Sequence, residues 1–354
     1  MPIKLGPQIY GVTDAGLLWA RRANCTKQIF GTNALPHAQS GAITICRPIW
    51  RLRTDSGAEA ARDIIRALDR WGGYRPSYVE LWNESDEVGQ RLGSGLERRV
   101  QLHEEAVPIL HANGIRVAGF SFSTGNPGAG WPGDTPDWEY LQSHGYAGVD
   151  AIALHAYWGN QRFTEGHALR HRRAHAITGG NHPPFLITEC GRDAVEGGSP
   201  GWRLSGISGE QYVSELLAYD TELGHDPYVI GATVFTTGGF EHGWGNFDVD
   251  ELVPAIIGTG PPPTRYSCSN GVCYANANGP YASLAECQAA CQPGPQPTGG
   301  ISLSLLFGLS LGAVGAGILL AEYLGVQPEI VMRVSDVREL EEGQPIPPGY
   351  VIIG

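Results

Sequence analysis

The chain is short of basic charge. Its 24 lysines and arginines stand against 36 aspartates and glutamates, a net charge of −12 with a pI near 5.4, and no basic cluster offsets that balance. Such a surface repels nucleic-acid phosphates, so no general affinity for nucleic acid is expected. The first residues, MPIKLGPQIYGVTDAG, lack an apolar stretch long enough for a secretory signal and read directly into a strand, so export by the usual signal route is not expected. No Gly-rich phosphate loop follows that strand, which takes from a doubly wound open sheet its usual functional support. The segment HEEAV at 103–107 lacks the second histidine of a zinc-protease helix and reads as a solvated helix face.

What is present in quantity is glycine and proline, 50 and 25 of them, implying many tight connections in a chain of 354 residues. Two Pro/Gly-rich breaks divide it. The expected organisation is a large region at 1–257, a linker at 258–264, a Cys-rich mini-module at 265–292, a second linker at 293–300, an apolar helix at 301–324 and a tail at 325–354.

Four of the seven cysteines, Cys268, Cys273, Cys287 and Cys291, crowd into 24 residues with little apolar content. They read as a two-disulfide module, nested pairing being preferred among three connectivities. A zinc site is the alternative, against which stands the absence of two C-x-x-C pairs. Cys25, Cys46 and Cys190 read as small buried hydrophobes. His167, His171 and His175 recur every fourth residue on a predicted helix, but no carboxylate completes a ligand set, so no metal and no cofactor is expected.

The run 301–321, ISLSLLFGLSLGAVGAGILLA, has 21 consecutive uncharged residues, enough as a helix to cross a hydrocarbon core of about 30 Å. Gly308, Gly312 and Ala316 would let two such helices approach closely. A transmembrane helix is the reading, with a buried helix or hairpin of a virion or oligomer as the alternative. Arg333 and Arg338 beyond it would place the C-terminus in the cytoplasm and the large region outside.

Within 1–257, candidate strands at 8–12, 27–31, 42–47, 77–83, 115–121, 150–157, 184–190 and 229–236 alternate with amphipathic helical patterns, among them 58–71 and 209–222. Eight strand–helix units over about 250 residues are the size and rhythm of an α/β fold of the (β/α)8 barrel type. In such a barrel the strands' carboxyl ends form the active-site mouth. Two strands end in a carboxylate there: YVELWNE delivers Asn83 and Glu84, and PFLITEC delivers Glu189, 105 residues or three units of 35 later. Two carboxylates opposed across a mouth suit glycoside hydrolysis.

LWNE and ITE at these strand ends resemble the signatures of the clan A retaining glycoside hydrolases, a (β/α)8 superfamily. The resemblance spans roughly residues 8–257. It implies Glu84 as general acid/base, Glu189 as nucleophile and Asn83 as donor to the sugar 2-hydroxyl. It also implies that Arg47, in ITICRPIW, keeps the nucleophile ionised, and that His155 and Tyr157, on one side of ALHAYWG, orient the nucleophile and line the sugar subsite. At the eighth strand the family commonly has a tryptophan platform. Here ATVFTTGGFEHGWG offers Phe235, with Trp244 farther along, while Trp82 is expected to point into the packing. The leading expectation is a retaining glycosidase acting on a polysaccharide or a cell-wall or capsule glycan, anchored in a membrane or self-assembled through 301–321. The rival is a carbohydrate-binding or structural virion or surface protein that kept the barrel and lost turnover.

Overall fold

The computed structural model describes residues 4–48, 56–84, 95–127, 135–160, 163–195, 198–259, 266–269, 272–275, 280–281 and 284–291. Strand β1 (Leu5–Ile9) leads through helix α1 (Asp14–Ala20) to β2 (Cys25–Ile29) and β3 (Ile43–Arg47), and α2 (Gly57–Arg70) to β4 (Tyr78–Glu80). Then come α3 (Leu96–Ala112), β5 (Val117–Phe122), α4 (Thr135–Ser143), β6 (Ala151–Trp158), α5 (Arg170–Thr178), β7 (Phe185–Arg192), α6 (Gly209–Gly224), β8 (Val229–Thr237) and α7 (Val253–Ile256). The eight strands are parallel and close in sequence order, β8 pairing β1 through Leu5 opposite Ala232. This is the eight-stranded barrel that the alternation of strands and helices predicts.

The helices form where sequence caps and stripes allow. Ser56 and Ser208 cap α2 and α6, each side chain accepting from the amide three residues on, Glu59 and Gln211. Behind those caps α2 buries Ala60, Ala61, Ile64, Ala67 and Leu68, and α6 buries Tyr212, Val213, Leu216, Tyr219 and Leu223, each a stripe at helical spacing. Among the described residues only a 3-10 turn, Leu35–His37, lies between β2 and β3. That connection carries Pro36 between Gly31 and Gly41, poor material for a helix.

Three local expectations need correction. The first strand is Leu5–Ile9 rather than 8–12, because pairing partners outweigh the turn-like Gly6-Pro7. A Cβ at Gly6 would stand 1.7 Å from the Cys25 carbonyl oxygen, so glycine is what lets β1 approach β2. The fourth strand is three residues, not seven, since its ladder partners end at Glu80; the chain then turns Asn83 and Glu84 over the mouth. His103 is not on a solvated face. It is fully buried, its ring stacked 4.3 Å from Phe120, accepting from the Phe120 amide at 2.9 Å and facing the Arg99 carbonyl at 2.8 Å. Burial, with Arg99 nearby, lowers its pKa to about 3, so it is neutral.

The Cys module pairs as β9 (Tyr266–Ser269) and β10 (Val272–Ala275), an antiparallel hairpin, followed by α8 (Leu284–Ala290). Disulfides Cys268–Cys291 and Cys273–Cys287 staple hairpin to helix in the nested pattern. The barrel and this module belong to one compact unit, Met1–Gly294. Arg203, almost wholly buried, joins them by donating to the Cys273 carbonyl at 2.6 Å and to the Asp248 carbonyl at 3.1 Å. Cys25, Cys46 and Cys190 are free and buried, and burial pushes the Cys25 and Cys46 thiols up to about 12. Alkylation of the unfolded, unreduced protein followed by mass spectrometry should therefore label these three thiols only, and reduction should add four more. Labelling of any module cysteine before reduction would contradict the pairing.

Among the described residues no helix is long and apolar enough to cross a membrane. The apolar run 301–321 lies outside the described residues, as does the whole second unit, Pro295–Gly354.

Candidate active site

The barrel interior is layered. An apolar floor of Cys25, Ile45, Tyr78, Ala118, Ala151, Ala153 and Leu186 comes from β2 to β7. Two residues further along their strands, alternation puts Lys27, Arg47, Glu80 and His155 on the same inward side, forming a charged layer above the floor. All four are buried.

Glu189 joins that layer through an irregularity in β7. The register with β6 runs Leu154 opposite Ile187 and then His155 opposite Glu189, with Thr188 left over. Ile187 and Cys190 both pack in the outer core, so the extra residue is what turns Glu189 inward. Its Oε1 accepts from Arg47 at 2.8 Å, Lys27 at 3.3 Å and Gln8 at 3.3 Å. Its Oε2 accepts from the Tyr157 hydroxyl at 2.8 Å and lies 3.5 Å from His155 Nδ1. Burial alone would raise the Glu189 pKa, but His155, Lys27 and Arg47 outweigh it and hold it at about 2. Tyr157, buried and facing Glu189 and Glu84, is pushed well above its usual range and stays a donor.

Glu80 lies beneath. Lys27 Nζ is 2.6 Å from its Oε2, Arg47 is 3.7 Å away, and His155 Nε2 stands 3.5 Å from its Oε1. His155 Nδ1 bonds Glu84 Oε1. Burial would lower the His155 pKa, yet Glu189, Glu84 and the bond to Glu80 raise it to about 9, so it is an imidazolium near neutrality. Asn83 accepts from the Arg47 guanidinium through Oδ1, which leaves its amide nitrogen as the donor end.

A cavity of about 450 Å3 opens above this layer. Asn83, Glu84, Glu189 and Tyr157 line its base. Phe235, Trp244 and Phe247 make an aromatic wall, Phe235 meeting the other two edge-on at 5.2 Å, and Ser123, Thr124, Asn126 and Asp193 are a polar side. Trp82 instead packs on His103 at 4.8 Å in the outer core.

The structure thus gathers Arg47, Asn83, Glu84, His155, Tyr157, Glu189, Phe235 and Trp244 at one mouth. Sequence reasoning missed Gln8, Lys27, Glu80, Phe247 and the polar side. The signal for Lys27 and Glu80 was their parity: each lies two residues from another inward residue of its strand. The His167, His171 and His175 series is dispersed: His171 bonds Asp226 at 2.8 Å, and His175 faces His182 at 2.9 Å and stacks on Tyr228. Among the described residues, the grouping of metal-capable donors is Cys273, Cys287 and Cys291, whose sulfurs are spent in disulfides.

The raised His155 pKa sets a stability window. A base whose folded value lies above its unfolded value, near 6.5, stabilises fully below that value and loses the contribution as pH rises toward about 9. Asp250, raised to about 7 by burial and by Asp248, titrates below most of that range. The urea midpoint should fall between about pH 7 and 9, by a free energy of up to a few kcal/mol, and His155→Gln should flatten the fall. Equal slopes in both proteins would contradict the assignment.

No family model matches the chain, and neither does any curated protein. Among solved structures, a glucosidase from Croceicoccus marinus is similar with a TM-score of 0.51 at 13% identity, over 73% of this chain and 68% of that one. A GH128 (subgroup I) endo-beta-1,3-glucanase from Amycolatopsis mediterranei in complex with laminaritriose has a TM-score of 0.46 at 17% identity, over 73% and 99%. A GH128 (subgroup II) endo-beta-1,3-glucanase from Sorangium cellulosum has 0.44 at 15%, over 73% and 98%. At 13% identity the likeness to the first of these concerns the fold alone, and the closed eight-stranded parallel barrel places the chain among the (β/α)8 proteins.

Proposed function

We propose that the chain is a retaining glycosidase acting on a polysaccharide, with Glu189 as nucleophile and Glu84 as general acid/base. The observation that carries this reading is that both carboxylates approach one atom, His155 Nδ1, Glu84 in a hydrogen bond and Glu189 Oε2 at 3.5 Å. Two carboxylates that share a ring nitrogen stand closer to the about 5–5.5 Å separation of double displacement than to the about 6.5–9.5 Å that leaves room for an inverting water.

In the first step Glu84 would protonate the leaving glycosidic oxygen while a Glu189 oxygen bonds the anomeric carbon. In the second, Glu84 would take a proton from the water that displaces Glu189. The charges suit these roles. Glu189 is ionised by its three cationic neighbours, while Glu84, 25% exposed at its side chain, faces the cavity and touches an imidazolium that holds a proton. Asn83, fixed by Arg47, would donate to the sugar 2-hydroxyl, and the wall of Phe235, Trp244 and Phe247 would face the sugar ring's apolar side.

Hydrolysis of a panel of β- and α-linked polysaccharides by the wild type and by Glu189→Gln tests this. Release of sugar from at least one by the wild type and none by the variant is expected. Wild-type binding without hydrolysis would favour the non-catalytic rival. On the substrate found, Glu84→Ala should slow aryl glycosides with poor leaving groups on the order of a hundredfold or more and good ones far less, because only the former need the proton. A uniform loss would take the acid role from Glu84.

A further inference from the structure

The charged layer beneath Glu189 holds an ion pair, Lys27 with Glu80, whose members neither attack nor protonate the substrate in the two-carboxylate chemistry. Lys27 forms an ion pair with Glu80 Oε2 at 2.6 Å and donates to the Thr188 carbonyl at 3.0 Å and to Glu189 Oε1 at 3.3 Å. Neither Lys27 nor Glu80 has any exposed side-chain surface. Thr188 is the leftover residue of β7, and its carbonyl also accepts from Thr233 Oγ1 at 2.7 Å. One ammonium therefore grips both the backbone that aims Glu189 and the Glu189 carboxylate itself.

We propose that Lys27 and Glu80 are a positioning pair for the nucleophile: Lys27 pins the β7 irregularity and neutralises part of Glu189, and Glu80 orients Lys27 while cancelling the excess positive charge of the layer. This rests on the reading of Glu189 as nucleophile for its catalytic meaning, though not for its geometry.

The charge arithmetic explains why both members are needed. Around Glu189 the charged and titratable groups among the described residues are Lys27 from β2, Arg47 from β3, Glu80 and Glu84 from β4 and the turn after it, and His155 and Tyr157 from β6, while β1 supplies uncharged Gln8. Without Glu80, the cations Lys27, Arg47 and His155 would face Glu189 with only Glu84, itself bonded to His155, to offset them, and a carboxylate so strongly stabilised is a poor nucleophile. Without Lys27, Glu80 and Glu189 would repel each other across the floor, and the Thr188 carbonyl would lose a donor.

The test is the titration of the Glu189 carboxyl, followed by carbon NMR of protein labelled at glutamate, in the wild type, Lys27→Met, Lys27→Arg and Glu80→Gln. It needs no substrate. The Glu189 midpoint should rise by about one unit or more in Lys27→Met, stay near the wild-type value in Lys27→Arg and not rise in Glu80→Gln. A rise in both Lys27→Met and Glu80→Gln, or in neither, overturns the proposal. On an active substrate, Lys27→Met should lower kcat at least tenfold with little change in KM and move the acidic limb of the profile upward; an unmoved limb also overturns it. If Lys27→Met does not fold, Lys27→Met/Glu80→Gln removes the pair without leaving a buried charge alone. That double variant should fold and turn over at least tenfold more slowly, and wild-type turnover would overturn the proposal. Should the wild type hydrolyse nothing, the glycosidase reading fails while the titration still decides the positioning role.

Discussion

Replacing Glu189 by alanine is expected to lower turnover on the order of ten-thousandfold or more, and azide is expected to restore part of it with an activated substrate. The role of Glu189 is electrostatic as much as chemical. Glu189 accepts from Arg47, Lys27, Gln8 and Tyr157 and lies beside His155. Truncation leaves those donors around a space open to the cavity, which is an anion site. A small anion held there can attack the anomeric carbon in place of the carboxylate and yield a glycosyl azide. Wild-type rates in Glu189→Ala would remove Glu189 from the mechanism. Loss without azide rescue or azide product, in a folded variant, would make its role something other than nucleophile.

The second large effect concerns stability. Arg192, at the end of β7, forms a two-pronged bond with Glu215 of α6, Nε to Oε2 at 2.7 Å and Nη2 to Oε1 at 2.9 Å, and the side chains are 5% and 1% exposed. Trp158 Nε1 adds a bond to the same carboxylate at 3.2 Å. Breaking one side of such a pair strands a charge away from water. Arg192→Leu should therefore destabilise by about 3–5 kcal/mol, a large share of the roughly 5–15 kcal/mol available to a folded domain. Arg192→Leu/Glu215→Leu should recover much of that loss, because no charge is left alone. Urea unfolding of the two variants decides it, and a loss below about 1 kcal/mol in the single variant would mean that water reaches Glu215.

The barrel was legible because eight strand patterns alternate with helical ones over about 250 residues. Its carboxylates were legible because Glu84 and Glu189 break apolar runs where the runs end. The charged layer was harder to read. In CTKQI a lysine reads as an edge or solvent residue, and only closure of the barrel shows that its inward face is wet with charge. The parity of Tyr78 and Glu80 in YVELWNE carried a hint, since a strand buried on both faces has no reason to hold Glu80 unless a cation meets it inside. His103 had a plainer signal: Leu96, Val100, His103, Val107 and Leu110 are one stripe at helical spacing, so the histidine belongs to the buried face. Of the aromatic wall, Phe235 and Trp244 were legible as candidate platform residues, but Phe247 was not, because it meets Phe235 only through the loop conformation after β8.

The most direct measurement of the central claim is covalent trapping. A 2-deoxy-2-fluoro glycosyl donor matching the sugar cleaved, with a good leaving group, would be incubated with the protein and the digest examined by mass spectrometry. The account predicts one added glycosyl group, on Glu189 in the peptide from β7, formed as activity disappears. An adduct on Glu84, or steady turnover of the natural substrate by an inverting course with no adduct on Glu189, would contradict it.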